Sequence, residues 1–432
     1  MPIFVTCRLI TRKPLTDLWQ RFGVFTPPHP WNHPQRLWFH AASVGEVQAA
    51  KALITTLRQR DTRADIIVST VTAQGYLAAT KQLAGVALCL YAPIDLPWVV
   101  ERFINKLTPS VYICLETELW PNTLRLMRDH GITTLLLNGR LSENAFRRYS
   151  KISDFMRQVV RCFNAASVIQ RLDRERYLAL GLEPEKIQVH GNAKYDQHLT
   201  PIVSLPSGQQ ETRGNEHRAS VITHYQCLLG LKPHQRVFIA GSTHSGEEAL
   251  ILEAFRTLAT AIPDLVLIVA PRHLERLDKI MTDWRGQGIH FCLLSAMTGS
   301  RHEKPIILVD QMGELANLYS IATYVFCGGS LVDRGGHNIM EPAFWGKPPL
   351  FGPHMSDFND ARSMLEGQDA GFLVQNTQEL VARILYFHHH HDSYQQAGQR
   401  AATIALAQQG SATRQADIIC HALDKRPHNS TL

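Results

Sequence analysis

Long hydrophobic runs, paired cysteines and a secretory leader are all missing from this 432-residue sequence. No apolar run approaches the roughly 18 residues that a membrane span requires. The apolar stretch at the N-terminus is too short for the core of a signal peptide. The eight cysteines are scattered without a Cys-x-x-Cys pair, which argues against a disulfide framework or a zinc site. We therefore expect a chain with reduced thiols in a cytoplasmic setting.

Common nucleotide and metal motifs are missing as well. The sequence has no Walker A motif, and no Gly-x-Gly-x-x-Gly follows the first predicted strand of either half, which weakens a nicotinamide-binding interpretation. It has no Asp-x-Asp pair to hold Mg²⁺ on a diphosphate. The run His388–His391 lies late in a polar helical pattern, and we interpret it as solvent-exposed. We predict no metal site and no bound cofactor.

The composition is that of a globular protein, with 45% hydrophobic and 19% charged residues. The length allows two or three domains. The net charge of +6 is unevenly distributed. Residues 1–200 carry 25 Lys and Arg against 16 Asp and Glu, and the remainder carries 19 against 22. The basic first half indicates an anionic partner, such as a phosphorylated substrate, an acidic lipid surface or nucleic acid, or else a solvated face without a partner.

Short apolar runs alternate with helical patterns along most of the chain. In the first half the strand patterns run from Leu37–Ala42 to Ile187–His190, and in the second from Val237–Ala240 to Gly371–Val374. Such alternation predicts an α/β protein whose parallel sheets are covered by helices on both faces. The usual place for a site in this arrangement is the cleft between two such domains, at the carboxyl ends of the strands.

The domain boundaries follow from a change in composition. The segment that opens at Thr200 is polar and contains proline and glycine, which is typical of a linker. We predict two doubly wound, Rossmann-like domains at residues 1–200 and 223–432, joined by a linker at 201–222. The helical patterns from 392 to 424 are predicted to close the second domain.

The most distinctive stretch runs from Cys327 to Pro342 and contains two glycine pairs. It follows a strand pattern and precedes a helical one, and glycine pairs let the backbone turn tightly and approach a ligand closely. Asn338 and Glu341 have the spacing of a capping box, and Pro342 fits only the first helical turn. The free N–H groups at the N-terminus of a helix can bind phosphate. The alternative is an ordinary capped turn, since one such loop is a weak signal.

Polar residues follow several other predicted strands. Glu46 is predicted in the first turn of a helix, either as a general base at a cleft or as a carboxylate that merely favours the helix dipole. Glu116 directly follows a buried strand pattern and is harder to explain as a helix-start residue than Glu118. Four more clusters end strand patterns, with ordinary capping as the alternative: Asn138–Ser142, Gly191–Tyr195, Gly241–His244 and Pro271–His273.

Seven segments in this order resemble the motifs of the Kdo transferases, the 3-deoxy-D-manno-octulosonate transferases of lipopolysaccharide assembly. They are Trp38–Glu46, Glu116–Asn122, Asn138–Ser142, Gly191–Lys194, Gly241–Glu248, Pro271–His273 and Gly328–Pro342. Each motif alone is weak, but their order and spacing along most of the chain are specific. The resemblance implies a GT-B glycosyltransferase that moves Kdo from CMP-Kdo to a lipid A precursor (lipid IVA), with inversion and without a metal.

The resemblance also implies roles for individual residues. Glu46 matches the proposed catalytic base, and Glu116 matches a second essential carboxylate near the reacting centre. Arg272 and the backbone from Gly335 to Asn338 would bind the phosphate and nucleotide of CMP-Kdo, and Glu341 would bind the ribose. The full set expected at the donor is Ser242, Arg272, His273, Gly329, Gly335, Gly336, His337, Asn338 and Glu341. The acceptor side is expected to include Ser43, Gly45, Arg140 and Lys194.

Family members commonly begin with a hydrophobic anchor and a basic segment. Here Trp19–Gly23 resembles the end of that segment, and no anchor precedes it. We expect either a peripheral protein on the cytoplasmic face of the bacterial inner membrane or a truncated start. CMP-Kdo and a lipid A precursor are the expected partners, and nucleic acid is not. The alternatives are another GT-B enzyme of nucleotide sugars, including a 2-epimerase, and a catalytically inactive lipid-binding scaffold.

Overall fold

The computed structural model describes residues 16–27, 30–196, 207–297, 299 and 305–424. The chain divides into two compact parts. We call them unit 1, which holds the described residues up to 196 and those from Gln408 onward, and unit 2, which holds the described residues from 207 to Ala407.

Unit 1 is built on a parallel sheet that has seven strands within the described residues. The strands are β1 (Arg36–His40), β2 (Asp65–Thr70), β3 (Leu88–Tyr91), β4 (Val111–Leu115), β5 (Thr133–Gly139), β6 (Ala165–Val168) and β7 (Ile187–Val189). The helices between them are α1 (Thr16–Arg21), α2 (Val44–Gln59), α3 (Ala73–Gln82), α4 (Pro97–Leu107), α5 (Pro121–Asp129), α6 (Glu143–Ser150), α7 (Ser153–Val160) and α8 (Arg171–Ala179).

Unit 2 repeats the plan with another seven parallel strands in the part of the chain that the structure describes. They are β8 (Arg236–Thr243), β9 (Leu265–Pro271), β10 (Cys292–Leu293), β11 (Ile306–Leu308), β12 (Tyr324–Cys327), β13 (Pro349–Phe351) and β14 (Phe372–Leu373). The other α-helices in the described residues are α9 (Ser207–Leu228), α10 (Glu247–Ala261), α11 (Leu277–Gly286), α12 (Leu315–Leu318), α13 (Met340–Phe344), α14 (Asn359–Glu366), α15 (Thr377–His389), α16 (His391–Leu406) and α17 (Ser411–Asp424).

The strand orders place one switch point in each sheet. The order in unit 1 is β3-β2-β1-β4-β5-β6-β7, so the winding reverses between β1 and β4. In unit 2 the order is β10-β11-β9-β8-β12-β13-β14, and the reversal falls between β8 and β12. Loops at such a reversal leave in opposite directions and open a crevice at the carboxyl ends of the strands. The loops after β1, β4, β8 and β12 are therefore the ones positioned to form sites.

Burial on both faces explains why the strands are so apolar. Consecutive residues of a strand point to opposite faces of its sheet. Trp38 and Phe39 of β1 accordingly enter two separate cores of unit 1, and both are fully buried. Parallel sheets covered by helices on both sides need such continuous apolar strands. The predicted α/β class and the two doubly wound sheets are confirmed.

The predicted linker is wrong for most of its length. Residues from Ser207 onward form the long helix α9 instead. The helix is anchored near its end by Tyr225, which is buried and whose hydroxyl donates to Glu314 Oε2 at 2.5 Å. Arg218 also reaches the backbone carbonyl of Phe344. These long-range contacts stabilise a helix where the Gly-containing composition alone suggested none.

The last helix also differs from the prediction, because α17 belongs to unit 1 rather than to the second half of the chain. Asp196 accepts hydrogen bonds from the N–H groups of Gly410 and Ala412, both at 2.8 Å, and so fixes the start of α17. Ala416 and Ile419 then pack into a core of unit 1. Among the described residues no helix is both long and apolar enough to cross a lipid bilayer.

Candidate active site

Three strands at the predicted motifs end in a backbone conformation that side chains other than glycine rarely adopt. Glu116 after β4, Asn138 in β5 and Ser242 in β8 have φ angles of 55°, 53° and 54°. Left-handed residues of this kind cost conformational energy and are concentrated at functional sites. The strain therefore marks the same strand ends as the sequence motifs.

Glu46 lies in the first turn of α2, after β1, and is only 6% exposed. Its carboxylate accepts hydrogen bonds from the N–H of Ala42 and from the hydroxyl of Ser43, the latter at 3.3 Å. It occupies the first-turn position that the non-catalytic interpretation expected, and it ties down the turn that precedes its own helix. Burial, and then the charges of Glu116 and Glu118, raise the pKa of Glu46 well above its ordinary value. A carboxylate in such surroundings is a strong proton acceptor once it is ionised.

Glu116 is paired with Lys194, whose ammonium nitrogen lies 2.6 Å from Glu116 Oε1. The same nitrogen lies against the start of α2, since a Cβ added to Gly45 would be only 3.2 Å from it. The positive charge of Lys194 partly opposes the rise in the pKa of Glu46. Three segments far apart in sequence thus meet at one edge of the unit 1 sheet.

The loop after β5 joins this edge through its backbone. Thr117 donates its hydroxyl hydrogen to the carbonyl of Arg140, which ties the two loops together. The side-chain oxygen of buried Asn138 accepts from the N–H of Ala193 at 2.9 Å, and the backbone N–H of Asn138 donates to the side-chain oxygen of Gln415 in α17 at 2.9 Å. Gln415 was not predicted as part of the site, because a single glutamine 277 residues away in sequence leaves no local pattern.

Unit 2 presents a cluster of histidines at its switch point. The Nε2 atoms of His244 and His337 lie 2.9 Å apart, and the two rings are stacked with centroids 5.1 Å apart. The ring of His273 approaches His244 edge-on at 5.3 Å. Burial and the charge of Arg272 lower the pKa of His337 to about 3. The pair therefore shares one hydrogen, with one neutral ring donating and the other accepting.

The first glycine pair of the Gly-rich loop is already engaged. The N–H groups of Gly329, Ser330 and Leu331 donate to the carboxylate of Glu247 at 2.7, 3.1 and 3.0 Å. The N–H of His244 makes a fourth such bond at 2.9 Å. Glu247 is fully buried, so a protein carboxylate fills the place of an anion beneath the loop. Glu247 was not predicted to have a role of its own. Gly329 was expected at the donor, but its N–H is occupied by Glu247 and is not offered to a ligand.

The second glycine pair is required by packing within unit 2. Gly335 and Gly336 have φ angles of 81° and 74°. A Cβ at Gly335 would lie 2.6 Å from Asp357 Oδ2, and one at Gly336 would lie 2.3 Å from Met355 Sδ. The N–H of Gly336 donates to the carbonyl of Gly329 at 2.9 Å, which closes the loop on itself.

The expected pairing of Asn338 with Glu341 is formed, in a different way from a capping box. The amide nitrogen of Asn338 donates to Glu341 Oε1 at 3.2 Å, and its oxygen accepts from the N–H of Met340 at 3.1 Å. The helix that follows, α13, has only five residues. Its dipole is correspondingly small, so the side chains and loop N–H groups matter more here than a helix terminus.

Arg272 and its neighbours are held by the end of β8. The N–H of Arg272 donates to the carbonyl of Thr243 at 3.0 Å, while its side chain is exposed. Glu248 accepts from the hydroxyl of Thr243 and from Arg276, each at 3.0 Å. This buried bridge fixes the turn in which Ser242 adopts its left-handed conformation. The unit 2 residues that were expected to bind CMP-Kdo therefore lie at one edge of the unit 2 sheet.

The solved structure of MurG from Acinetobacter baumannii shares this architecture. It is 14% identical, with a TM-score of 0.53, and the match covers 90% of this chain and 100% of that one. At this level of identity the likeness shows the fold alone. Two doubly wound units with switch-point loops of this kind define the GT-B class.

Comparisons of sequence identify the family within that class. The family model of 3-deoxy-D-manno-octulosonic-acid transferase (kdotransferase) matches residues 16–197. The 3-deoxy-D-manno-octulosonic acid transferase of Haemophilus influenzae is 30% identical over 411 residues, which cover 94% of this chain and 91% of that protein. The transferase of the same description from Chlamydophila psittaci is 28% identical over 390 residues, or 90% and 84% of the two chains. The chain belongs to the 3-deoxy-D-manno-octulosonic acid transferase family.

Proposed function

We propose that this protein transfers Kdo from CMP-Kdo to a lipid A precursor such as lipid IVA, with inversion at the anomeric carbon. The observation that carries the proposal is the meeting of Glu46, Glu116 and Lys194 at the switch point of unit 1. Glu46 takes the proton of the acceptor hydroxyl as that oxygen attacks the anomeric carbon. The bond from that carbon to the phosphate of CMP breaks, and CMP leaves with the electron pair.

Unit 2 holds the leaving group in this proposal. Arg272 and the backbone from Gly335 to Asn338 bind the phosphate, and Glu341 binds the ribose hydroxyls. Cationic and N–H donors fixed before the reaction stabilise the charge that develops on a departing phosphate. His337, kept neutral by its low pKa, can donate or accept hydrogen bonds without adding charge. Ser242, His273, Gly329 and Gly336 shape this donor site. Because CMP is a monophosphate, the proposed site requires neither a cation nor a cofactor.

The acceptor is proposed to bind at unit 1. Ser43 and Gly45 form the turn that presents Glu46, and Lys194 lies against that turn. Lys194 and Arg140 supply positive charge beside a sugar acceptor that carries phosphate groups. Ammonium and guanidinium groups are the side chains suited to phosphate. The basic first half of the chain fits the same anionic partner.

Peripheral contact with the cytoplasmic face of the inner membrane is also proposed through unit 1. Trp19 in α1 and Trp98 in α4 are 64% and 50% exposed, and Val24 is 54% exposed. The ring of Phe22 stacks on Trp98 at 5.9 Å, and the guanidinium of Arg102 lies 5.2 Å from the Trp98 ring. Exposed tryptophans beside arginine suit the interface of an anionic bilayer.

Incubation of the full chain with CMP-Kdo and lipid IVA tests the function. We expect release of CMP together with a lipid whose mass increases by one or more Kdo units, counted by mass spectrometry. A reaction without the lipid controls for donor hydrolysis, and UDP-N-acetylglucosamine tests the epimerase alternative. Lipid binding without CMP release would instead support an inactive scaffold and contradict the proposal.

A further inference from the structure

A third carboxylate, Glu118, lies in the loop that carries Glu116. Its side chain is 28% exposed, and Oε2 accepts a hydrogen bond from the indole N–H of Trp120 at 2.8 Å. The Nε2 atom of His40 lies 3.8 Å from the same oxygen. That separation is too long for a hydrogen bond, so the imidazole faces this oxygen without binding it. Trp120 therefore holds this oxygen of Glu118, and His40 lies beside it.

His40 is itself fixed from behind. It is 3% exposed, and its Nδ1 lies 3.0 Å from the hydroxyl of Ser69. The same hydroxyl accepts from the indole N–H of Trp38 at 2.8 Å. The Ser69 hydrogen is then available to His40 Nδ1, which places the imidazole hydrogen on Nε2, facing Glu118. Within the described residues that Nε2 has no hydrogen-bond partner, so its hydrogen is free to face Glu118.

Strand register places this chain of groups next to the proposed base. His40 pairs with Cys114 across β1 and β4, and the Cys114 thiol donates to the carbonyl of Glu118 at 2.9 Å. Glu46 follows His40 on the same loop-helix segment. The charged groups that act on Glu46 are Glu116 and Glu118 after β4 and Lys194 after β7. Lys194 is paired with Glu116, which leaves the charge of Glu118 without that compensation.

We propose that Glu118, bound by Trp120 and faced by the Ser69–His40 chain, is a positioning carboxylate of the transfer reaction, and that its fixed negative charge makes Glu46 hold the acceptor proton more tightly. The inference rests on the proposed function in one respect only, namely that Glu46 is the base. Burial acts to raise the pKa of Glu118, but the interactions with His40 and Trp120 prevail and lower it. Glu118 thus stays ionised while it raises the pKa of Glu46. Glu118 itself takes no proton from the substrate.

The test compares the pH dependence of kcat/KM for wild type, Glu118→Gln and Glu118→Asp. The acid limb reports ionisation of the base in the free enzyme. In Glu118→Gln, which keeps an acceptor for Trp120, the limb is expected to move to lower pH by about one unit, as for loss of one nearby like charge. Glu118→Asp keeps the charge and is expected to keep the wild-type limb at a lower kcat. Lower activity of Glu118→Gln with an unmoved limb would overturn the proposal.

Glu101→Gln is the matched control, because Glu101 is a carboxylate of α4 that is paired with His130 at 3.0 Å and is not among the charged groups that act on Glu46. The acid limb of its pH profile is expected to stay at the wild-type pH. Direct titration separates the inference from the function. Carbon-13 NMR of full-length protein labelled at the glutamate carboxyls follows Glu46, with Glu46→Gln identifying its signal. A lower midpoint in Glu118→Gln supports the inference even if no Kdo is transferred, and an unchanged midpoint overturns it.

Discussion

Glu46 and Glu247 occupy equivalent places in the two units and have opposite surroundings. Each lies in the first turn of the helix that follows a central strand, β1 or β8, and each is almost fully buried. Glu247 accepts four backbone N–H groups. Glu46 accepts one backbone N–H and one hydroxyl and is acted on by two other carboxylates.

This difference in surroundings separates a carboxylate that stabilises the structure from one that the proposed function uses as a base. Burial raises the pKa of both groups, but the four N–H groups oppose the rise at Glu247, while neighbouring negative charge adds to it at Glu46. A carboxylate saturated by N–H donors stabilises the loop that donates them. A carboxylate that lies close to other negative charges is stabilised when it takes up a proton. Under the proposed function, equal positions in a repeated fold serve stability in one unit and catalysis in the other.

The largest expected effect comes from Glu46→Gln. Loss of a general base is expected to lower kcat by about 10²–10⁴. The affinity for CMP is expected to be unchanged, because the proposed donor site is built from unit 2 residues. Steady-state kinetics and calorimetric titration with CMP measure the two quantities. If CMP affinity collapses while turnover survives, the roles assigned to the two units are wrong.

Glu247→Ala is expected to have the opposite profile. Four N–H groups lose their acceptor in a buried site, which is expected to cost roughly 2–4 kcal/mol of unfolding free energy. The loop from Gly329 onward would lose its shape, so the affinity for CMP should fall as well. Urea denaturation gives the first quantity and calorimetry the second. An equally stable Glu247→Ala protein would remove the contrast with Glu46.

Gly336→Ala tests whether the second glycine pair serves packing. The added Cβ would lie 2.3 Å from Met355 Sδ, at a φ of 74°. We expect a loss of about 2 kcal/mol in unfolding free energy together with weaker CMP binding. Gly288→Ala is the control in unit 2, since its φ is 70° but its Cβ would meet nothing within 4 Å. It should cost only about 1 kcal/mol, for the backbone conformation. Equal losses would exclude the packing role.

The smallest expected effect concerns pH. His337 has a pKa of about 3 in the folded protein, against an ordinary value of 6.5. The unfolded chain therefore binds a proton more readily, and the stability that His337 contributes above pH 6.5 is lost progressively as the pH falls toward 3. Denaturation at pH 7.5 and pH 5 should show a smaller loss in His337→Gln than in wild type. An equal loss would mean that the histidine cluster does not set the acid sensitivity of unit 2.

Sequence reasoning predicted the features that have local patterns. Apolar runs of strand length predicted both sheets. The polar residues that follow these runs predicted the loops at the switch points. Polar clusters that contain Glu46, Glu116 and Lys194 were expected at strand ends, and the resemblance to the Kdo transferases assigned these residues to the site. Their roles in catalysis remain predictions.

Features that depend on distant contacts were not predictable. Helix α9 has a polar, Gly-containing sequence and is held by Tyr225 and Arg218 through contacts with later segments. The return of α17 to unit 1 depends on Asp196 and Gln415, each an ordinary polar residue by itself. The hydrogen bonds from the Gly-rich loop to Glu247 could not be predicted for the same reason. Each depends on pairs of residues that are far apart in the chain.

The most direct test of the account is the single-turnover rate of Kdo transfer by wild type, Glu46→Gln and Glu247→Gln, each with saturating CMP-Kdo and lipid IVA. The account predicts that Glu46→Gln binds the donor normally and fails to form the glycolipid. It predicts that Glu247→Gln, once saturated, transfers Kdo at a rate within about tenfold of wild type, since its defect is in stability and donor affinity. Rapid transfer by Glu46→Gln, or a chemical step abolished in a folded and saturated Glu247→Gln, would contradict it.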